Sequence, residues 1–216
     1  LEVTQAAVTI TATDKSKVYG QENPVLTFSY TGLVNGDTKV ATEPSISTTA
    51  ALNSGVGVYP ITLEGAADAN YSITLVDGEL EVTQAAVTIT ATDKTKVYGA
   101  ANPILTFTYE GLVNGDTKVA TEPSIATTAT TSSGVGTYPI QLTGAADANY
   151  SITLVDGELE VTQAGVTITA TDKTKVYGQE NPVLTFSYTG LVNGDTKVTT
   201  EPSIATTATT SSGVGT

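Results

Sequence analysis

An all-β protein built from tandem copies of one small domain is what this sequence predicts, on three observations. The hexapeptide Leu-Glu-Val-Thr-Gln-Ala begins at Leu1, Leu80 and Leu159, a spacing of 79 residues each time. Apolar side chains alternate with threonine along short runs, which is the period of a half-buried strand. No stretch sustains the helical period of about 3.6 residues. A spacing of 79 exceeds the roughly 20–50 residues of solenoid units and is long enough for one small domain per copy. The expected organisation is a last strand of a preceding copy at 1–6, complete repeats at 7–85 and 86–164, and a truncated third at 165–216.

Within the first copy each element has a local reason. Val8, Ile10 and Ala12 alternate with Thr9, Thr11 and Thr13, a strand with a threonine outer face. Val18-Tyr19-Gly20 leads into a loop ending at Asn23-Pro24. Leu26, Phe28 and Tyr30 form a second alternating strand. Asn35-Gly36-Asp37-Thr38 is turn chemistry, and Asp37 is placed to cap a short helical turn over 38–41. A short strand follows through Ile46 and Thr48, and another through Val56, Tyr59, Ile61 and Leu63. The segment 71–76 is followed by Asp77-Gly78 and then by 79–83. An Asp-Gly pair between alternating strands signals a two-residue hairpin, which would set Leu75 opposite Leu80 and Ile73 opposite Val82. The sum is about six strands and one helical turn. That suits a small β-sandwich or a partly open roll, and the short turn after Asp37, lying between two strands, leaves a β-grasp-like fold open beside an immunoglobulin-like sandwich. At the junction, Val82 and Val87 both face inward with no Gly-, Ser- or Pro-rich spacer between them. A short connection of that kind limits bending, so the copies are expected to form a stiff acidic rod.

The copies are close relatives. Residues 1–79 and 80–158 differ at 13 positions, without insertion or deletion. The third copy is a mosaic: 179–190 repeats 21–32 letter for letter, while 204–216 repeats 125–137. Duplication and recombination within an array leave that pattern.

Composition removes much of the functional menu. The 216 residues hold no Cys, His, Met, Trp or Arg, nine Lys, and a net charge of −13. Thiol and imidazole metal sites, a thiol nucleophile and a Ser-His-Asp triad are excluded. So acidic a chain repels nucleic acid and anionic membrane surfaces, and no apolar run reaches the length of a membrane span.

The ordered set Lys-Val-Tyr-Gly (17–20), Asn-Pro (23–24), Leu-Thr-Phe-Ser-Tyr (26–30), Gly-Leu-Val-Asn-Gly-Asp (32–37), Gly-Val-Tyr-Pro-Ile (57–61), Asn-Tyr (70–71) and Gly-Glu-Leu-Glu-Val-Thr (78–83) resembles the MBG domain of the YGX type. The resemblance spans both complete copies and the available part of the third. It implies tandem modules of large bacterial adhesins and other secreted or surface proteins, hence an extracellular or cell-surface location, and no catalytic or cofactor residues.

Four groups of residues offer candidate chemistry. Asp68, Asn70, Asp147 and Asn149, with Asp14 near the junction, are oxygen donors suited to Ca²⁺; the competing reading is loop hydrogen bonding to backbone, since no copy holds a dense calcium loop. Lys15 and Lys17 beside Asp14 suggest an intramolecular Lys–Asn or Lys–Asp amide, against a solvated lysine pair guarding a strand end. The Thr9-Thr11-Thr13 face invites ice binding, against an ordinary threonine-rich strand; in sequence the ladder recurs only every 79 residues. The Ser/Thr clusters at 48–54, 127–133 and 206–212 and the Asn-Tyr-Ser triplets at Asn70 and Asn149 fit glycosylation patterns, against plain loop composition.

The expected function is a non-enzymatic stalk or fibre segment without a cofactor, whose partners are its neighbouring repeats. Two alternatives stand beside it. One is a multivalent adhesive module for a host glycan or protein. The other is a filament that self-associates through an edge strand such as 80–83.

Overall fold

The computed structural model describes residues 1–215 and contains sixteen strands and no helix among them. The chain forms two compact units. The first holds Leu1–Thr90, Phe107–Ile125 and Leu142–Val155; the second holds Ala91–Thr106, Ala126–Gln141 and Asp156–Thr216.

The first copy lies wholly in the first unit and has seven strands: β1 (Ala6–Ala12), β2 (Lys15–Val18), β3 (Phe28–Thr31), β4 (Ser45–Thr48), β5 (Gly57–Glu64), β6 (Tyr71–Val76) and β7 (Gly78–Thr83). They make two sheets, ordered β3-β1-β6 and β2-β7-β5-β4. The inward residues of both sheets meet in one core: Val8, Ile10 and Ala12 from β1, Ile61 and Leu63 from β5, Tyr71 from β6 and Leu80 from β7. Val40, carried by a loop, is 1% exposed and plugs the same core. Each fully buried aliphatic side chain contributes roughly 1.5–3 kcal/mol. Pro60 sits in β5 at the level of Glu79, beyond the Thr48–Ile61 end of the β4 ladder, so its missing N–H breaks no bond on that side.

The expected hairpin does not form. β6 runs parallel to β1, with Ile10 level with Leu75, whereas β7 runs parallel to β2, with Lys15 level with Leu80. Both pairs keep one register while the two segments cross together from the three-stranded to the four-stranded sheet. Neither Asp77 nor Gly78 adopts the positive φ that a type I′ turn needs. Instead the Asp77 carboxylate accepts the Leu63 amide at 3.0 Å, and a Cβ on Gly78 would lie 3.0 Å from the Ala12 carbonyl oxygen. This crossing also corrects the strand named for the filament alternative, because 80–83 lies in β7, an interior strand flanked by β2 and β5. Asp37 caps no helical turn: its carboxylate accepts the Tyr71 hydroxyl at 2.7 Å. Without a helix to lay on the sheet, the β-grasp alternative falls and the sandwich stands. Val56 lies outside β5 and is 41% exposed.

The second copy repeats the element order as β8 (Ala85–Ala91), β9 (Lys94–Val97), β10 (Phe107–Glu110), β11 (Ser124–Thr127), β12 (Gly136–Thr143), β13 (Tyr150–Val155) and β14 (Gly157–Thr162), in sheets ordered β10-β8-β13 and β11-β12-β14-β9. Among the described residues of the third copy only β15 (Thr167–Ala170) and β16 (Phe186–Thr189) pair. The segment 173–176, which matches β2, is no strand. β2 and β9 are held by their parallel partners β7 and β14, and the third copy supplies no such partner.

Candidate functional site

The oxygen donors read as calcium candidates are occupied by the protein's own backbone. Asp14 Oδ1 accepts the Glu79 amide at 2.8 Å. Asp68 accepts from Asn70 N and Ala41 N, both at 2.8 Å, and these amides hold its carboxyl below the usual carboxylate range. Asp147 repeats the pattern with Asn149 N and Ala120 N, both at 2.7 Å. Asn70 closes the Asp68 turn and its carbonyl accepts the Ala6 amide at 2.9 Å. Among the described residues, no three carboxylates gather into a group that could hold a metal ion.

Lys17 differs from both readings, while Lys15 is half-buried. Lys17 is buried, 5% exposed, and Nζ donates to the carbonyls of Gln21 at 3.1 Å and Ala51 at 2.5 Å. Burial lowers its pKa. Lys96 makes the equivalent bonds to Ala100 and Thr130. Lys17 and Lys96 are the only buried charged residues described, so the buried acid that an amide-forming reaction needs is missing beside them. The lysine staples two loops to β2 instead, joined by Asn23 Nδ2, which donates to the Ala50 carbonyl at 2.6 Å.

The threonine face is more regular than the spacing in sequence implied. Thr9 lies level with Thr31 on one side and Thr74 on the other, and Thr11 is level with Ser29. The sheet thus aligns hydroxyls on adjacent strands. The rank is short, and the second copy has Glu110 where the first has Thr31.

The most distinctive arrangement in the first unit lies where one copy meets the next. β7 and β8 are separated by Gln84 alone. Gln84 Nε2 donates to the Ala148 carbonyl at 3.2 Å, and Ala85 N to the Asn149 carbonyl at 3.0 Å. Tyr19 stands edge-on to Tyr150, with ring centroids 5.5 Å apart and an interplanar angle of 86°. Both hydroxyls donate to Asp116 Oδ2, Tyr150 at 2.7 Å and Tyr19 at 3.2 Å. Burial pushes the Tyr150 hydroxyl up to about 12, the Asp116 carboxylate adding to the rise. Gly20, at φ +82°, lies so close to Val113 that a Cβ would come within 2.5 Å of its Cγ2. The Val56 amide donates to Asn149 Oδ1 at 2.9 Å. In the second unit, a Cβ on Gly99 would likewise come within 2.6 Å of Val192 Cγ2, and Asn193 Nδ2 donates to the Thr131 carbonyl at 3.1 Å. Sequence reading missed this contact. Its signal was present: Tyr19-Gly20 and the 34–37 loop recur unchanged yet fit no core alternation.

The family model described as MBG domain (YGX type) matches residues 8–81, 87–160 and 166–216. The chain belongs to that MBG family. No curated protein matches the chain. In the MBG repeats of this chain the Tyr-Gly pairs are Tyr19-Gly20, Tyr98-Gly99 and Tyr177-Gly178. The first two are the pairs placed against a following repeat.

Proposed function

We propose that this chain is a non-enzymatic spacer segment of a bacterial secreted or surface-anchored protein of the adhesin type, acting outside the cell to hold a functional part at a set distance. The observation that carries the reading is the junction: one residue, Gln84, separates strands of consecutive MBG repeats, and its side chain is bonded to the following repeat. A connection with no slack suits length control. The net charge of −13 favours solubility and keeps neighbouring arrays apart. MBG membership supports a surface or secreted setting, and the carboxylates described above serve backbone amides. A series of chains with two, three and four whole periods tests it by small-angle scattering. A constant increment per period, on the order of 30–40 Å for a strand and its turns, supports a spacer. Dimensions that grow as those of a flexible chain overturn it.

A second reading has one observation behind it. Val25, Ile104 and Val183 occupy the same place in each copy and are 82%, 86% and 83% exposed. A repeated apolar stud suits weak multivalent contact with a host glycan or protein. Binding that strengthens with copy number, and is lost when all three become Ser, favours this reading over the spacer.

A further inference from the structure

Tyr19 is 7% exposed, yet it is absent from the core of its own repeat. What covers it is the next repeat: the Tyr150 ring, the Asp116 carboxylate and, beside Gly20, Val113. Its third-copy counterpart Tyr177, which in the structure has neither a following repeat nor the last strands of its own, is 65% exposed. The opposite face shows the same dependence. Val34, Asp37 and Asn70 are exposed in the first copy, while Val113, Asp116 and Asn149, which abut a preceding repeat, are half-buried. The receiving loop is shaped within its own repeat before any neighbour arrives. Tyr71 bonds Asp37 and the Val34 backbone in the first copy as Tyr150 bonds Asp116 and the Val113 backbone in the second.

We propose that the Tyr-Gly pair of each repeat is a directional plug for the Val-Asn-Gly-Asp loop and loop-bound tyrosine of the following repeat, a joint whose partner is any next copy of the same repeat. Three properties support it. The socket is preorganised, so docking orders few additional groups. The glycine is required twice, for its positive φ and for its approach to a valine side chain. The contact residues are identical in every copy that contains them, so whole periods can be added or removed without rebuilding a joint. Repeats joined this way stabilise their neighbours, as in arrays with nearest-neighbour coupling.

The test follows two amides of the first repeat in the full chain by hydrogen exchange. The Val56 amide bonds across the joint to Asn149, while the Leu63 amide bonds within its own repeat to Asp77. With Tyr19→Ala, Val56 exchange is expected to rise about tenfold while Leu63 exchange stays within about twofold, the pattern of local opening. Tyr19→Phe, which keeps the ring and loses the hydroxyl donor, gives a smaller rise at Val56 alone and serves if the alanine variant does not fold. Equal rises at both amides would mean that Tyr19 supports its own fold, and no change at either would mean that the tyrosine holds nothing across the joint; both overturn the proposal. This result is independent of the length series, which tests what the array is for.

Discussion

The carboxylate of Asp14 accepts a hydrogen bond from the Glu79 amide at 2.8 Å, at the level where two parallel segments cross from one sheet to the other. Asp93 and Glu158 repeat the bond at 2.8 Å. A single side chain thus pins both crossings, because Gly78 lies against the Ala12 carbonyl and Asp14 itself. Asp14→Ala should lower unfolding stability by about 1 kcal/mol, with Asp14→Asn, which keeps an acceptor, losing less. Urea unfolding of the two variants checks this ordering.

Lys17 supplies a different kind of staple. Lys17→Met keeps the buried stem and strips the carbonyls of Gln21 and Ala51 of their donor, which should cost about 1–3 kcal/mol. Burial lowers the lysine pKa from 10.5, so between the folded value and 10.5 the unfolded chain binds more protons than the folded one. The Lys17 contribution to stability therefore rises as pH climbs through that window. Within that window the denaturation midpoint of the parent should rise relative to that of Lys17→Met.

Two further titrations act in opposite directions. The Asn70 and Ala41 amides depress the Asp68 pKa below 3.8, so its contribution is present above that pH and is lost as pH falls through the folded value. Asp68→Asn should flatten the acid limb of the stability profile. Tyr150 is raised from 10.0 to about 12, so its contribution is complete below pH 10 and disappears as pH climbs through about 12. Tyr150→Phe should reduce the alkaline loss, to which Tyr30 and Tyr109 also contribute, read from melting temperature against pH.

Glycines at positive φ separate strain from collision. Gly36 has φ +84° and open space around it, so Gly36→Ala should cost only the left-handed penalty of about 1–2 kcal/mol. Gly32 has φ +102°, and its Cβ would meet the Ala7 carbonyl oxygen at 2.5 Å. Both sides of that clash are backbone, so Gly32→Ala should cost more than Gly36→Ala by about 2 kcal/mol or more. Parallel thermal melts of the two variants decide the point.

The sandwich was legible because alternation reports directly on a buried face. Val8, Ile10 and Ala12 are all buried, as are Ile61 and Leu63. Strand partners were not legible. Asp77-Gly78 carries the composition of a hairpin, but the preference of two residues is weak beside two parallel ladders and the Asp14 bond that hold β6 and β7 in different sheets. Lys17 looked like a solvated residue because no local pattern reveals that Ala51, 34 positions away, brings it an acceptor. The inter-repeat contact was hidden for a related reason. Tyr19 and Asp116 are 97 residues apart, and their pairing follows from how whole repeats meet.

The central claim, that consecutive repeats are held against one another, is tested most directly by residual dipolar couplings in the weakly aligned full chain. The account predicts that amides of β5 and β7 and amides of β8 and β13 fit one alignment tensor of common magnitude and orientation. Separate tensors, with the magnitude reduced on one side of Gln84, would contradict it.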